Sequence, residues 1–145
     1  MRYERHLANG YLINDDRDRL DLDLIYWFLA EESYWSRGIT REQVGRAASA
    51  SVCFGLYGPD GGQCGFARVV TDLTTFAWLT DVFVIAGQRG KGLGRALVQA
   101  VLDHPDLQGL RRWLLATRDA QDFYAGLGFT SLDSPVIFMT RRHPG

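Results

Sequence analysis

The segment Val84-Ile85-Ala86-Gly87-Gln88-Arg89-Gly90-Lys91-Gly92-Leu93-Gly94-Arg95 carries the strongest chemical signal in this 145-residue sequence. An apolar run leads into a loop with four glycines in eight residues, and a helical pattern follows at once. Glycine lets a backbone approach a ligand closely and adopt φ > 0. The free N–H groups of a helix's first turn, with the helix dipole behind them, attract an anion. Arg89, Lys91 and Arg95 add positive charge, and Lys91 is the only lysine in the chain. Together these features build an anion site. Two familiar phosphate motifs fail letter by letter. A P-loop needs Ser or Thr after its lysine, and Gly92 stands there. A G-x-G-x-x-G fingerprint would need glycine where Arg95 or Leu97 stands.

Two other groups could do chemistry. Asp81 sits inside the apolar run Phe76–Ile85, an expensive place for a carboxylate unless it is paired or functional. Strict strand alternation would put it on one face with Leu79 and Phe83, opposite Val82 and Val84. Glu31-Glu32-Ser33-Tyr34-Trp35 closes a helical stretch. Carboxylates there oppose the helix dipole, and beside aromatics they suit an amine cation. A buried structural acceptor and a solvated helix end are the bland alternatives for the two.

The run Arg89 to Gly94 reads R-x-x-G-x-G, and Ala120-Gln121-Asp122-Phe123-Tyr124-Ala125-Gly126-Leu127-Gly128-Phe129 follows 25 residues on. The pair resembles the acetyl-CoA loop and the A-x-x-φ-Y-x-x-φ-G-F segment of the GNAT superfamily of N-acetyltransferases, where φ is apolar. The resemblance covers essentially the whole chain. It implies that Arg89, Gly90, Lys91, Gly92, Leu93, Gly94 and Arg95 hold the pyrophosphate of acetyl-CoA, and that Phe83 and Val84 pair with its pantetheine arm. A backbone N–H near Val82 to Val84 would polarise the acetyl carbonyl, and Tyr124 would protonate the departing thiolate. The other reading of Tyr124 is a core aromatic beside Phe123. Acidic residues on the equivalent strand serve some members as base, so Asp81 becomes the candidate base or amine-binding carboxylate. Glu31, Glu32, Tyr34 and Trp35 fall where the family binds its acceptor. Arg68 and Trp78 read as packing or surface residues. The implied activity is acetyl transfer by direct attack of a primary amine on a small molecule, amino acid or peptide. A non-catalytic acyl-CoA-binding regulatory module is the alternative. Ala86-Gly87 replaces the family's more usual proline-containing pair.

These residues need a scaffold. Gly10 to Asn14 reads as a strand, and apolar spacing from Asp21 to about Glu32 predicts a helix. Thr40-Arg41-Glu42-Gln43 fits a capping box opening a second helix with Val44, Ala47 and Ala48 buried. Val52 to Tyr57 and Gly65 to Thr71 flank the turn Gly58-Pro59-Asp60-Gly61-Gly62 as a hairpin. Phe76 to Ile85 reads as a central strand covered on both faces. A helix over Gly92–Leu102, a strand over Arg112–Thr117, a short helix capped by Asp119 and a last strand over Val136–Thr140 complete the order. The expected fold is α/β: one mixed, mostly antiparallel sheet flanked by helices, GNAT-like, spanning residues 1–145 as a single domain.

Composition narrows the partners. The formal net charge is −1, with 16 basic and 17 acidic residues, which gives no electrostatic reason to expect nucleic acid or an anionic membrane. The charged N-terminus suggests no signal peptide, and no run of apolar residues is long enough to span a bilayer. Cys53 and Cys64 read as free thiols of a reducing cytoplasm. The three histidines are scattered and no metal-ligand spacing occurs, so no metal is expected. The expected partner is the amine acceptor, with a homodimer left open.

Overall fold

The computed structural model describes residues 2–143. A six-stranded mixed sheet runs in the order β1-β2-β3-β4-β5-β6, with β1 Glu4–His6, β2 Leu12–Asn14, β3 Val52–Tyr57, β4 Gln63–Thr71, β5 Phe76–Val84 and β6 Arg112–Leu114. All neighbours are antiparallel except β5 and β6. The helices are α1 Leu22–Trp27, α2 Arg41–Ser49, α3 Leu93–Leu102 and α4 Gln121–Ala125. Among the described residues no helix is long and apolar enough to cross a membrane.

The local signals act as the sequence implies. Thr40 Oγ1 accepts from the Gln43 N–H at 3.1 Å and Gln43 Oε1 accepts from the Thr40 N–H at 3.0 Å, a complete capping box for α2. The β3–β4 turn closes through Gly58 and Gly62, with Gly61 at φ +86°. Cys53 and Cys64 are both free and buried, on opposite faces of the sheet.

Two cores flank the sheet. On one face α3 packs Leu93, Leu97, Val98 and Val101 against Phe54, Leu56, Val69 and Leu79. On the other, α1 and α2 set Ile25, Leu29, Val44 and Ala48 over Phe66 and Phe83, with the Phe28 and Phe83 rings stacked at 4.0 Å.

Five expectations change. Glu4–His6 adds a strand that the charged N-terminus hid, and the strand expected from Gly10 begins at Leu12. β6 stops at Leu114 instead of Thr117. The α4 N-cap is Ala120, whose N–H is held by Thr117 Oγ1 at 3.1 Å; Asp119 makes no cap. Val136–Thr140 is no strand, because residues 135–137 form a 3-10 turn and the rest is irregular. Apolar, strand-prone residues need an edge to pair with, and Pro135 favours a helical first turn. Finally, β5 is not covered evenly. Phe66 faces Phe83 but Arg68 faces Thr80, so β5 carries an extra residue, and Asp81 takes φ +56° there. This β-bulge shifts the alternation. Leu79 joins the α3 core while Asp81 and Phe83 turn to the α1–α2 side.

Candidate active site

The bulge and the brevity of β6 open a cleft. β5 pairs with β6 only from Phe76 to Trp78; beyond that, among the described residues, the β6-facing edge of β5 has no strand beside it. The Ile85 N–H donates to Cys64 O at 2.9 Å, so Phe83 and Ile85 turn their backbone groups to β4. Alternation then points the N–H and C=O of Val82 and Val84 into the cleft. The Val84 carbonyl accepts there from Arg89 Nε at 2.9 Å.

The glycine loop forms the outer end of the cleft. Gly90 and Gly92 have φ of +81° and +74°, conformations that a residue with a Cβ rarely adopts. Gly92 is the N-cap of α3 and supplies no side-chain cap. The Gly92 carbonyl receives the Ala96 N–H, the first helical bond, which leaves the N–H groups of Leu93, Gly94 and Arg95 without intrahelical acceptors. These groups border a cavity of about 270 Å³ lined by Val84, Gln88, Arg89, Gly90, Gly92, Leu93, Gly94, Arg95 and Phe123. A Cβ on Gly94 would lie 3.7 Å from Phe123 Cζ, so a glycine keeps the cavity open. The donors, the glycines and the space fit a pyrophosphate and the arm behind it. A larger hollow beside α2, lined by Gln43, Arg46, Ala47, Ser49 and Ala50, lies away from these groups.

The loop's cations are tethered rather than loose. Lys91 Nζ lies 3.2 Å from Tyr11 Oη and 3.1 Å from Gln88 Oε1, and the Tyr11 hydroxyl donates to the same Gln88 oxygen. Arg95 Nη2 donates to Gly126 O at 3.2 Å, tying α3 to the end of α4. That link positions Tyr124. Its ring meets Phe123 at 5.0 Å and Phe129 at 5.8 Å, both edge to face. Burial, with a smaller contribution from Tyr34, pushes its hydroxyl pKa up to about 12. Tyr124 therefore keeps its proton at neutral pH and can donate it.

The inner end is built from side chains. Asp81 Oδ2 accepts from Arg68 Nε at 2.8 Å and Oδ1 from Trp35 Nε1 at 2.9 Å. Arg68 also donates to Ser51 Oγ at 3.1 Å. The carboxylate is buried, with only 5% of its side chain exposed. Trp35 reaches it because α1 ends in a π-helical turn, Phe28–Glu32, closed by the Ser33 N–H on Phe28 O. Such turns rotate the residues that follow and occur often at functional sites. The same turn delivers Tyr34. Its hydroxyl accepts from the Arg118 backbone N–H at 2.8 Å, and the Arg118 guanidinium lies 3.9 Å above its ring. Tyr34 thus bridges from the α1 side to the segment leading into α4. Glu31 and Glu32 are exposed on the π-turn.

Trp35 is joined to Asp81, Tyr34 to the segment that leads into α4, and Tyr124 packs on Phe123, which lines the loop cavity. The participation of Arg68 and Arg118 escaped sequence reasoning. Arg68 read as a packing or surface residue, because nothing in the sequence sets the β4–β5 register that brings it to Asp81. No local pattern marks Arg118, whose partner is 84 residues away.

A family model described as "Acetyltransferase (GNAT) domain" matches residues 48–131. That span holds the loop, Asp81 and Tyr124, and leaves Glu31 to Trp35 outside. A curated protein of Gibberella zeae, "Putative acetyltransferase FG08082", is 32% identical over 135 residues, covering 79% of this chain and 75% of its own. A solved structure from Xanthomonas campestris pv. campestris, described as "a putative acetyltransferase belonging to the gnat family", is 46% identical. It covers 93% of this chain and 94% of its own with a TM-score of 0.89. Glucosamine-6-phosphate N-acetyltransferase from Arabidopsis thaliana shares the fold at 18% identity, TM-score 0.62, covering 100% of this chain and 99% of its own.

Proposed function

Because the chain belongs to the GNAT acetyltransferase family, we propose that it moves the acetyl group of acetyl-CoA to a primary amine by direct attack. The observation that carries this reading is a glycine anion cradle at the end of an unpaired strand edge, with Tyr124 packed on Phe123 of the cradle's wall. Acetyl-CoA supplies the activated acyl group; this chain's residues do the rest.

The first-turn N–H groups of α3 hold the pyrophosphate, with Arg89 and Arg95 beside them. Binding of the pantetheine arm along β5 releases Val84 O from Arg89. The Val82 or Val84 N–H donates to the acetyl oxygen as it gains charge. Tyr124 gives its proton to the departing sulfur. Asp81 uses two of its roughly four lone-pair directions on Trp35 and Arg68. It accepts the amine's proton through a remaining one, directly or across a water. A cysteine-linked route is disfavoured, since both thiols are buried and burial pushes Cys53 up to about 11.

The test is acetyl-CoA consumption across an amine panel by parent and Tyr124→Phe. The variant should lose about 10²–10⁴-fold in kcat while keeping its thermal stabilisation by CoA. Equal turnover by both proteins would remove Tyr124 as the acid. Asp81→Asn should lower kcat by about 10²–10⁴-fold with CoA stabilisation kept, and unchanged turnover would remove Asp81 as the base.

A further inference from the structure

The α1–α2 face of the sheet is only half covered. α1 and α2 bury Cys53, Phe66 and Phe83, and the Arg68–Asp81–Trp35 cluster marks the limit of that cover. Beyond it the same face is less covered, with Trp78 and Leu114 half-buried. Val70 follows Arg68 on that face and is 43% exposed. Register sets Val70 opposite Trp78, Trp78 opposite Leu114, and Phe76 opposite Arg112. Val69, Ala77, Leu79 and Trp113 belong to the α3 core, so these partners all lie on the other side. Phe76 and Phe138 are exposed, and the Arg112 guanidinium lies 5.5 Å from the Phe138 ring centre.

We infer that this less covered face is the seat of the acceptor's body, and that the acceptor is a primary amine carrying an aromatic ring. The inference rests on the acetyltransferase reading and names its substrate class. Continuity carries it. Trp78 and Thr80 are successive side chains of one face of β5, about 6.6 Å apart at the ordinary strand rise, and Thr80 adjoins Asp81. An amine at the carboxylate therefore places a ring two or three bonds away over Trp78, flanked by Val70 and Leu114. The acceptor's ring would lie on the aromatic floor, and its amine would meet the Asp81 carboxylate beside Arg68, which already pairs with it. Sugars and polyamines, which carry polar groups along their length, would leave hydroxyls or charges over apolar surface without partners.

The test measures both turnover and binding for tryptamine and ethanolamine, with calorimetry as the binding readout. Parent protein should prefer tryptamine in kcat/KM by 10-fold or more. Trp78→Ala should raise KM for tryptamine about 10-fold with little change in kcat, and leave ethanolamine unaffected. Val70→Lys, at an exposed position that cannot upset the core, should weaken tryptamine in the same direction. A preference for ethanolamine, or equal losses for both amines, would overturn the inference. If no amine is turned over, the acetyltransfer reading fails; tryptamine binding sensitive to Val70→Lys would still uphold the seat, and absent binding would sink it. Concentration-dependent dimerisation abolished by Val70→Lys would assign the face to a second copy instead.

Discussion

The two ends of the cleft are made differently. The outer end is backbone: N–H groups of Leu93, Gly94 and Arg95 and glycines at positive φ, all within one stretch of sequence. The inner end is side chain: Asp81 from β5, Arg68 from β4, Trp35 from the end of α1 and Tyr34 reaching across to Arg118. A backbone site writes itself into composition, since only glycine serves. A side-chain site depends on topology to bring ordinary residues together, and each looks unremarkable alone.

The contrast makes graded predictions. Removing a side chain should matter most at the inner end. Arg68→Ala leaves the buried Asp81 carboxylate without its counter-charge, and should cost about 3–5 kcal/mol of stability, read as a denaturant midpoint shift. A loss below 1 kcal/mol would show that the inner end is not held by this pair. At the outer end the comparable damage comes from adding atoms. Gly94→Val keeps helical φ but extends towards Phe123 and Val84. It should abolish stabilisation by acetyl-CoA, about 2.7 kcal/mol at 100-fold excess over Kd, with the apo melting temperature little changed. Undiminished protection would mean that the cavity is not the binding site.

A smaller effect is shared by the cleft's tyrosine and one in the core. Burial pushes both Tyr124 and Tyr57 up to about 12. Below pH 10 folded and unfolded chains both keep these protons, and pH has no leverage. Between pH 10 and 12 only the unfolded chain releases them, so each should withdraw about 2 kcal/mol of stability as pH rises. Tyr57→Phe should blunt this alkaline loss. It should cost little at pH 7, since the buried Tyr57 hydroxyl has no hydrogen-bond partner among the described residues. Least of all, Lys91→Ala should change CoA affinity by about 1 kcal/mol or less, because Lys91 is already engaged by Tyr11 and Gln88. A larger loss would make the outer end a side-chain site after all.

The same division explains how much was readable beforehand. The glycine loop, the capping box at Thr40 and the β3–β4 turn follow from local residue chemistry, and the structure keeps them. Tyr124 stood out because its segment carries a pattern, and its role as acid is the proposal made above. The β-bulge was not, because Thr80-Asp81-Val82 contains no glycine or proline and only pairing with β4 forces φ +56° on Asp81. Strict alternation puts Leu79 and Asp81 on one face, whereas the bulge separates them and leaves Asp81 with Arg68 on the α1–α2 side. Val136–Thr140 misled for the converse reason: its residue types suit a strand, but β6 extends over only three residues.

That extra residue in β5 also makes the strand a counter. Every position before Thr80 and every position after Asp81 is assigned to its core by parity, and the two halves are one step out of phase. Substitutions at Thr80 or Val82 change a side chain; deleting either changes the arithmetic. Deleting Val82 would close the bulge and leave Phe83 and Val84 in their present cores, but it would turn Asp81 to the α3 face, away from Arg68. Relatives that keep this cleft should therefore vary freely in residue type across these positions yet hold the number of residues between the β4–β5 turn and the glycine loop constant.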